Sequence, residues 1–263
     1  MPARRPSQPV RLPSAGPLRT RLPRTHSPRT RLLPVLLPTV LVLAGGCTTV
    51  RPTSSDASPA PAARVLTAAE LRTAAVGQAE LGPGYTVSLV KEGQAAPPPG
   101  AVERQLSDVP ACQPVLDAIG PGDPAATPQA EADLMVNKGA GGSSYVALLG
   151  YPAGRSTALQ STLDQVLAQC AAFGSTVKGR PGRSRHQLAK ADTPTPEGAD
   201  AVSAFTLTSG DQGGPALTQR AAVVRVGTAL AVFSTVGTAK EPAAVPDPAV
   251  VQAQTRKLRA AER

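Results

Sequence analysis

Tryptophan is absent from this chain of 263 residues, and phenylalanine and tyrosine contribute only three residues each. A core without large rings must be built from Val, Leu and Ala. These bury less apolar area apiece, and buried area sets the hydrophobic contribution at about 25 cal/mol per Å². Histidine is nearly missing as well, with His26 and His186 the only two. That scarcity argues against a metal centre built on several histidines. It also denies lone His186 the nucleophile and orienting acid of a triad, since the sequence identifies neither. No Gly-x-Ser-x-Gly elbow, P-loop or His-Glu-x-x-His helix occurs. The folded part is therefore expected not to be an enzyme and to need no cofactor.

Acidic residues are missing from one region only. Residues 1–46 hold eight arginines and no Asp or Glu, although the whole chain carries 27 basic and 18 acidic residues for a net charge of +9. The remainder has 19 basic against 18 acidic residues. A near-neutral domain excludes a sequence-wide electrostatic case for nucleic acid.

Long apolar runs are also lacking. The longest, from Leu32 to Gly46, is interrupted by Pro34 and Pro38. A spanning helix needs roughly 20 apolar residues, so this run suits the apolar core of a secretion signal instead. Residues 1–46 read as that signal, with small residues Ala44, Gly45 and Gly46 for a peptidase and Cys47 immediately after. The arginine-rich part before it is long and contains the near-repeat "RTRLPRT" and "RTRLLP", which suggests a translation start downstream of Met1.

The stretch "LAGGC" resembles the lipobox of bacterial lipoproteins, with Gly46 and Cys47 flanking the cleavage point. The resemblance implies that the Cys47 thiol receives a diacylglycerol and that the new N-terminus takes a further acyl chain such as palmitate. Each buried CH₂ contributes about 0.8 kcal/mol, and two or more chains hold a protein on a membrane where one does not. The expected location is the extracytoplasmic face of the cell membrane, with the bilayer as partner through the N-terminal lipid. Residues 47–64 then read as the lipidated cysteine and a Ser-, Thr-, Pro- and Ala-rich tether without apolar periodicity.

Residues 65–263 are expected to fold as one domain. Thr67 and Glu70 have capping-box spacing, which predicts a helix to about Glu80, ended by "LGPGY". "YTVSLVKE" alternates as a strand, "AAPPPG" (95–100) reads as a loop, and "ACQPVLDAI" as a short helix. "EADLMVNKG" and "SSYVALLGY" read as strands joined by a glycine turn. Apolar residues at 159, 163, 166, 167 and 170 mark an amphipathic helix between Gly154 and Phe173. Short strands within 175–190, a strand at 199–209, a hairpin turning at Gly227-Thr228 and a helix over 247–261 complete the pattern. Strands that mostly adjoin one another, with helices between groups of them, give an α+β class with an antiparallel sheet and flanking helices.

Cys112 and Cys170 remain after Cys47. In an exported chain such a pair reads as a disulfide, worth about 4 kcal/mol on chain-entropy grounds for a loop of this length. A redox pair is the alternative, without the Cys-x-x-Cys spacing that usually serves it. "GAGGSSY" (139–145) reads as a hairpin turn rather than a phosphate cradle, because it lies between strands. Glu131 and Asp133 share one face of a strand, as an acid/base pair or as solvated edge charges. Lys178, Arg180, Arg183, Arg185, His186 and Lys190 fall within 13 residues that hold no acid. They read as a patch for anionic headgroups or cell-wall polymers, or as a solvated edge where cations discourage strand pairing.

The layout of "LTAAEL", "LGPGY" before a strand, one Cys on a short helix, "CAAF" after a long one, and the late "VVRVGTALAVF" hairpin is similar to the extracellular sensor-type domains of PknH-like serine/threonine kinases and related actinobacterial lipoproteins. The resemblance implies an α+β fold with a central antiparallel sheet and a cleft. That family commonly carries two disulfides where this domain has room for one, and no ligand residues carry over. Two functional classes follow: a tethered binding or sensor module of the envelope, or an envelope hydrolase or transferase with an active site assembled from scattered residues.

Overall fold

Two kinds of strand are written into the chain. Apolar residues alternate along 130–138, where one face of the strand is core, but run nearly unbroken along 221–235, where both faces are. The computed structural model describes residues 64–90, 103–120, 122, 126–139, 142–211 and 214–263, all within one unit. In chain order the elements are α1 (Ala68–Ala74), α2 (Gln78–Leu81), β1 (Tyr85–Leu89), β2 (Gln105–Ser107), a 3-10 turn (Pro110–Cys112), α3 (Gln113–Ile119), β3 (Ala130–Lys138), β4 (Ser143–Gly150), α4 (Arg155–Gln169), β5 (Ala172–Val177), β6 (Ser184–Ala191), β7 (Ala201–Asp211), β8 (Leu217–Val226), β9 (Ala229–Thr238) and α5 (Pro248–Ala261).

The nine described strands form one sheet in the order β1-β3-β4-β9-β8-β7-β6-β5-β2, and every neighbouring pair is antiparallel. Helices lie on both faces, so the architecture is α+β as the pattern of elements implied. One face carries α1 and α5. There Leu66, Leu71, Val250 and Leu258 pack on Leu134, Leu148, Val224 and Phe233. The other carries α3 and α4, whose Val115, Leu163 and Val166 pack on Phe173, Phe205, Val223 and Val232. Central strands β8 and β9 meet both layers, which is why their sequences lack alternation.

The disulfide is present: Cys112 and Cys170 join the start of α3 to the end of α4, with Cα atoms 5.9 Å apart. The two helices of this layer are thereby tied covalently.

Two local expectations are corrected, and one strand is added. The helix predicted to reach Glu80 is two helices, because α1 ends at Ala74 on a buried side chain from α5: Gln254 Nε2 donates to Ala74 O and Gln254 Oε1 accepts from Val76 N. The helix marked by apolar residues out to 170 ends at Gln169. Cys170 caps α4, and Phe173 lies buried in β5 at 4.9 Å from the His186 ring. Strand β2 has no periodic signal because it is three residues long. It is held at the sheet edge by Gln113, which accepts from Ser107 N and donates to Gln105 O. The loop at 95–100 lies outside the described residues.

A groove beside helix α5

Helix α5 starts where its sequence demands. Asp247 caps it by accepting from Ala249 N at 2.9 Å, and Pro248 occupies the first turn, where a missing N–H costs nothing. The same carboxylate accepts from the Tyr85 hydroxyl at 2.9 Å and from Lys138 Nζ at 2.8 Å. Burial opposes its ionisation, but the bonds from Lys138, Ala249 N and Tyr85 outweigh this and hold the carboxyl below the usual aspartate range. One acidic side chain thus ties the helix start to β1 and β3.

Between β9 and α5 the chain crosses the sheet as a strap. Ala243 is buried, Thr235 Oγ1 donates to Ala244 O, and Thr238 N donates to Glu241 O. The crossing is close because residue 237 is glycine: a Cβ there would overlap backbone atoms of Glu241, Pro242 and Ala243. A second segment, 192–196, leaves β6 on the same face. It is held to α5 through Gln252, which accepts from Glu197 N at 3.0 Å and donates to Glu197 O at 3.1 Å.

Strap, segment and helix leave a groove of about 440 Å³ over β7 and β8. Val202, Ala204 and Ala222 form its floor, and Val251, Pro246 and Pro248 one side. Pro194 and Pro196 stiffen the other wall, since each has a locked φ and no donor to satisfy. The charged side chain on the floor is Arg220, flanked across the strands by Thr206 and Thr235. Its Nε is buried without a partner. No hydrogen bond or ion pair to it occurs among the described residues. Asp192 stands exposed at the groove's edge.

The residues singled out in the sequence are scattered by the fold. Lys178, Arg180 and Arg183 share the tip of the β5–β6 hairpin. Arg183 is ion-paired with Asp108 directly over Gly174, whose missing side chain makes the space. Arg180 Nε lies 3.1 Å from Glu103 Oε2, close but without hydrogen-bond alignment. Arg185 projects from the α5 face of the sheet, and exposed Lys190 from the opposite face. His186 is 2% exposed. Its Nε2 sits 2.7 Å from Ser175 Oγ and its Nδ1 2.8 Å from Ser209 Oγ. These serines were invisible to local reading, being 11 and 23 residues away. Cys47 and Gly46 lie outside the described residues, as do residues 140 and 141 of the glycine turn.

Glu131 and Asp133 do share a face, on the side of α3 and α4. Strand β3 is not an edge strand, since β1 pairs outside it. Burial raises the Asp133 carboxyl against the effect of a hydrogen bond with Tyr145. Burial and then the neighbouring Asp133 charge raise that of Glu131, although Glu131 keeps surface open to solvent. Burial and the Asp133 bond push the Tyr145 phenol up in turn. Asp133 Oδ1 is buried without a partner.

Among the described residues no group of three or more metal-ligating side chains converges, and no helix is long and apolar enough to cross a membrane. No protein-family model and no curated protein matches the sequence. Among solved structures, the chain is similar to the extracellular domain of PknH from Mycobacterium tuberculosis, with a TM-score of 0.47 and 13% identity over 74% of this chain and 98% of that one. It is also similar to an uncharacterized protein from Mycobacterium smegmatis, the Rv0999 ortholog, with a TM-score of 0.40 and 13% identity over 76% of this chain and 98% of that one.

Proposed function

We propose that this chain is a lipoprotein anchored through Cys47 on the extracytoplasmic face of the membrane, and that its folded domain is a non-catalytic binding or sensor module of the envelope. The groove beside α5 carries the binding half of this reading. It is of ligand-pocket size, apolar, walled by prolines, and built around one cation without a partner. The residues that line it include threonine hydroxyls but no histidine or cysteine to activate or replace them, which favours recognition over chemistry. The lipobox supports the anchor. The Cys112–Cys170 bridge supports an oxidising compartment.

Metabolic labelling with palmitate and cell fractionation test the anchor. Wild-type protein is expected to take up label and stay with membranes, and Cys47→Ala to do neither. A Cys47→Ala protein that is labelled and sediments like the wild type defeats the reading.

A second reading, an envelope hydrolase or transferase, is favoured by one observation: Glu131 and Asp133, with raised carboxyls and Tyr145 beside them, form the paired-carboxylate arrangement that acid/base chemistry uses. Loss of an envelope-degrading activity in a Glu131→Gln, Asp133→Asn double variant, with the fold intact, decides for it.

A further inference from the structure

We infer that the groove beside α5 takes an anionic amphiphile, an acyl-type chain whose charged head is held by Arg220; this rests on reading the groove as a binding site. An apolar chain suits the floor and walls because Val202, Ala204, Ala222, Val251, Pro246 and Pro248 offer it no competing donor or acceptor beyond the backbone. The head follows from Arg220. A guanidinium presents five donors in a rigid fork that matches carboxylate and phosphate. Most arginines near the sheet's ends already have acids, Arg183 with Asp108, Arg225 with Asp200 and Arg259 with Asp200. Arg220 has none, and its Nε is sealed from water. The part of the guanidinium that borders the groove has no acid beside it, and an anion seated there supplies the charged partner that a guanidinium pairs with most strongly. Asp192 at the edge opposes an anion, but it is exposed and screened, whereas Arg220 is half-buried on the floor.

The shared chemistry of chain and anionic head belongs both to free fatty acids and to phosphorylated lipids. Three ten-carbon probes separate these possibilities: decanoate, decyl phosphate and neutral 1-decanol. They are titrated by calorimetry, below their aggregation limits, into the chain from residue 47 onward carrying Cys47→Ala. Because the protein has no tryptophan, Thr195→Trp in the exposed wall supplies a single indole fluorophore that reports where binding occurs.

One-to-one, saturable binding of at least one anion is expected, about tenfold or more tighter than 1-decanol, with a shift in the emission of the introduced indole. The tighter of the two anions names the head. Arg220→Met should bring the anions down to the alcohol's affinity, and Arg220→Lys should retain part of the difference. Equal affinity for anions and alcohol, or an Arg220→Met protein that still prefers the anions, overturns the charged-head assignment while leaving the groove as a binding site. Absence of saturable binding by all three probes, or binding that leaves the indole emission unchanged, overturns the inference and the groove reading together.

Discussion

Gln254 of α5 closes the end of α1 from 178 residues away: its Oε1 accepts from Val76 N at 2.8 Å, while its Nε2 donates to Ala74 O at 2.7 Å. The side chain is completely buried. It does for two backbone groups what a further turn of helix would otherwise do. Gln254→Ala leaves both groups buried and unpaired, each costing about 1 to 3 kcal/mol. Thermal unfolding should show a loss of about 3 kcal/mol, or roughly 6 to 12 °C in Tm. A loss below about 1 kcal/mol means that water or a shifted backbone replaces the amide.

The disulfide should matter comparably. Its chain-entropy contribution for a separation of 58 residues is about 4 kcal/mol. Cys112→Ala combined with Cys170→Ala is expected to lower stability to denaturant by about 2 to 5 kcal/mol. Thiol titration of the folded wild-type domain should find both cysteines blocked. Two titratable thiols in that protein contradict the bridge.

Gly237 sets the groove's near wall. Gly237→Ala forces the strap at 241–243 off the strand, an overpacking cost of about 1 to 3 kcal/mol or more. The strap includes Val245 and Pro246 of the groove, so stability and probe binding should fall together. A variant that loses stability but binds decanoate unchanged separates the strap from the groove.

Charge on β3 predicts a pH dependence. Glu131 and Asp133 have folded pKa values raised above their unfolded ones, so the folded state holds their protons longer. Their contribution is fully present below the ordinary carboxylate range and is lost as pH rises through the raised values. Asp247 and Asp200 are lowered and act in the opposite sense: their contribution is present above the ordinary aspartate value and is lost as pH falls through their folded values. Stability should therefore peak in mildly acidic solution. Asp133→Asn should raise Tm at about pH 7 while changing it little at about pH 4. A variant with the wild-type pH profile removes Asp133 from this account.

The hairpin tip offers a test of the basic stretch. Arg183→Gln should cost stability through its lost packing over Gly174, whereas Lys178→Gln should not. If the tip faces anionic headgroups, Lys178→Gln with Arg180→Gln weakens binding of the unlipidated chain to anionic vesicles by about 1 kcal/mol per charge at low salt. Unchanged binding leaves the tip as a solvated turn.

Sequence alone determined what depends on near neighbours. The capping box at Thr67 and Glu70, the start of α5 at Asp247, the turn at Gly227 and the strand beginning at Tyr85 are local matters of backbone geometry and period, and each stands where expected. The pairing of Cys112 with Cys170 was legible because only two cysteines remained after Cys47. Tertiary structure decided everything that depends on distant groups meeting. It ended α1 at Ala74 through Gln254, and it set His186 between Ser175 and Ser209. It also spread the cations of 178–190 over a hairpin tip and both faces of the sheet, because successive strand residues point to opposite sides. Arg220 gives no sign of itself in "LTQRAAVV". Its lack of a partner exists only because β7, β8, α5 and the strap enclose a space whose acidic lining residue, Asp192, stays at the edge.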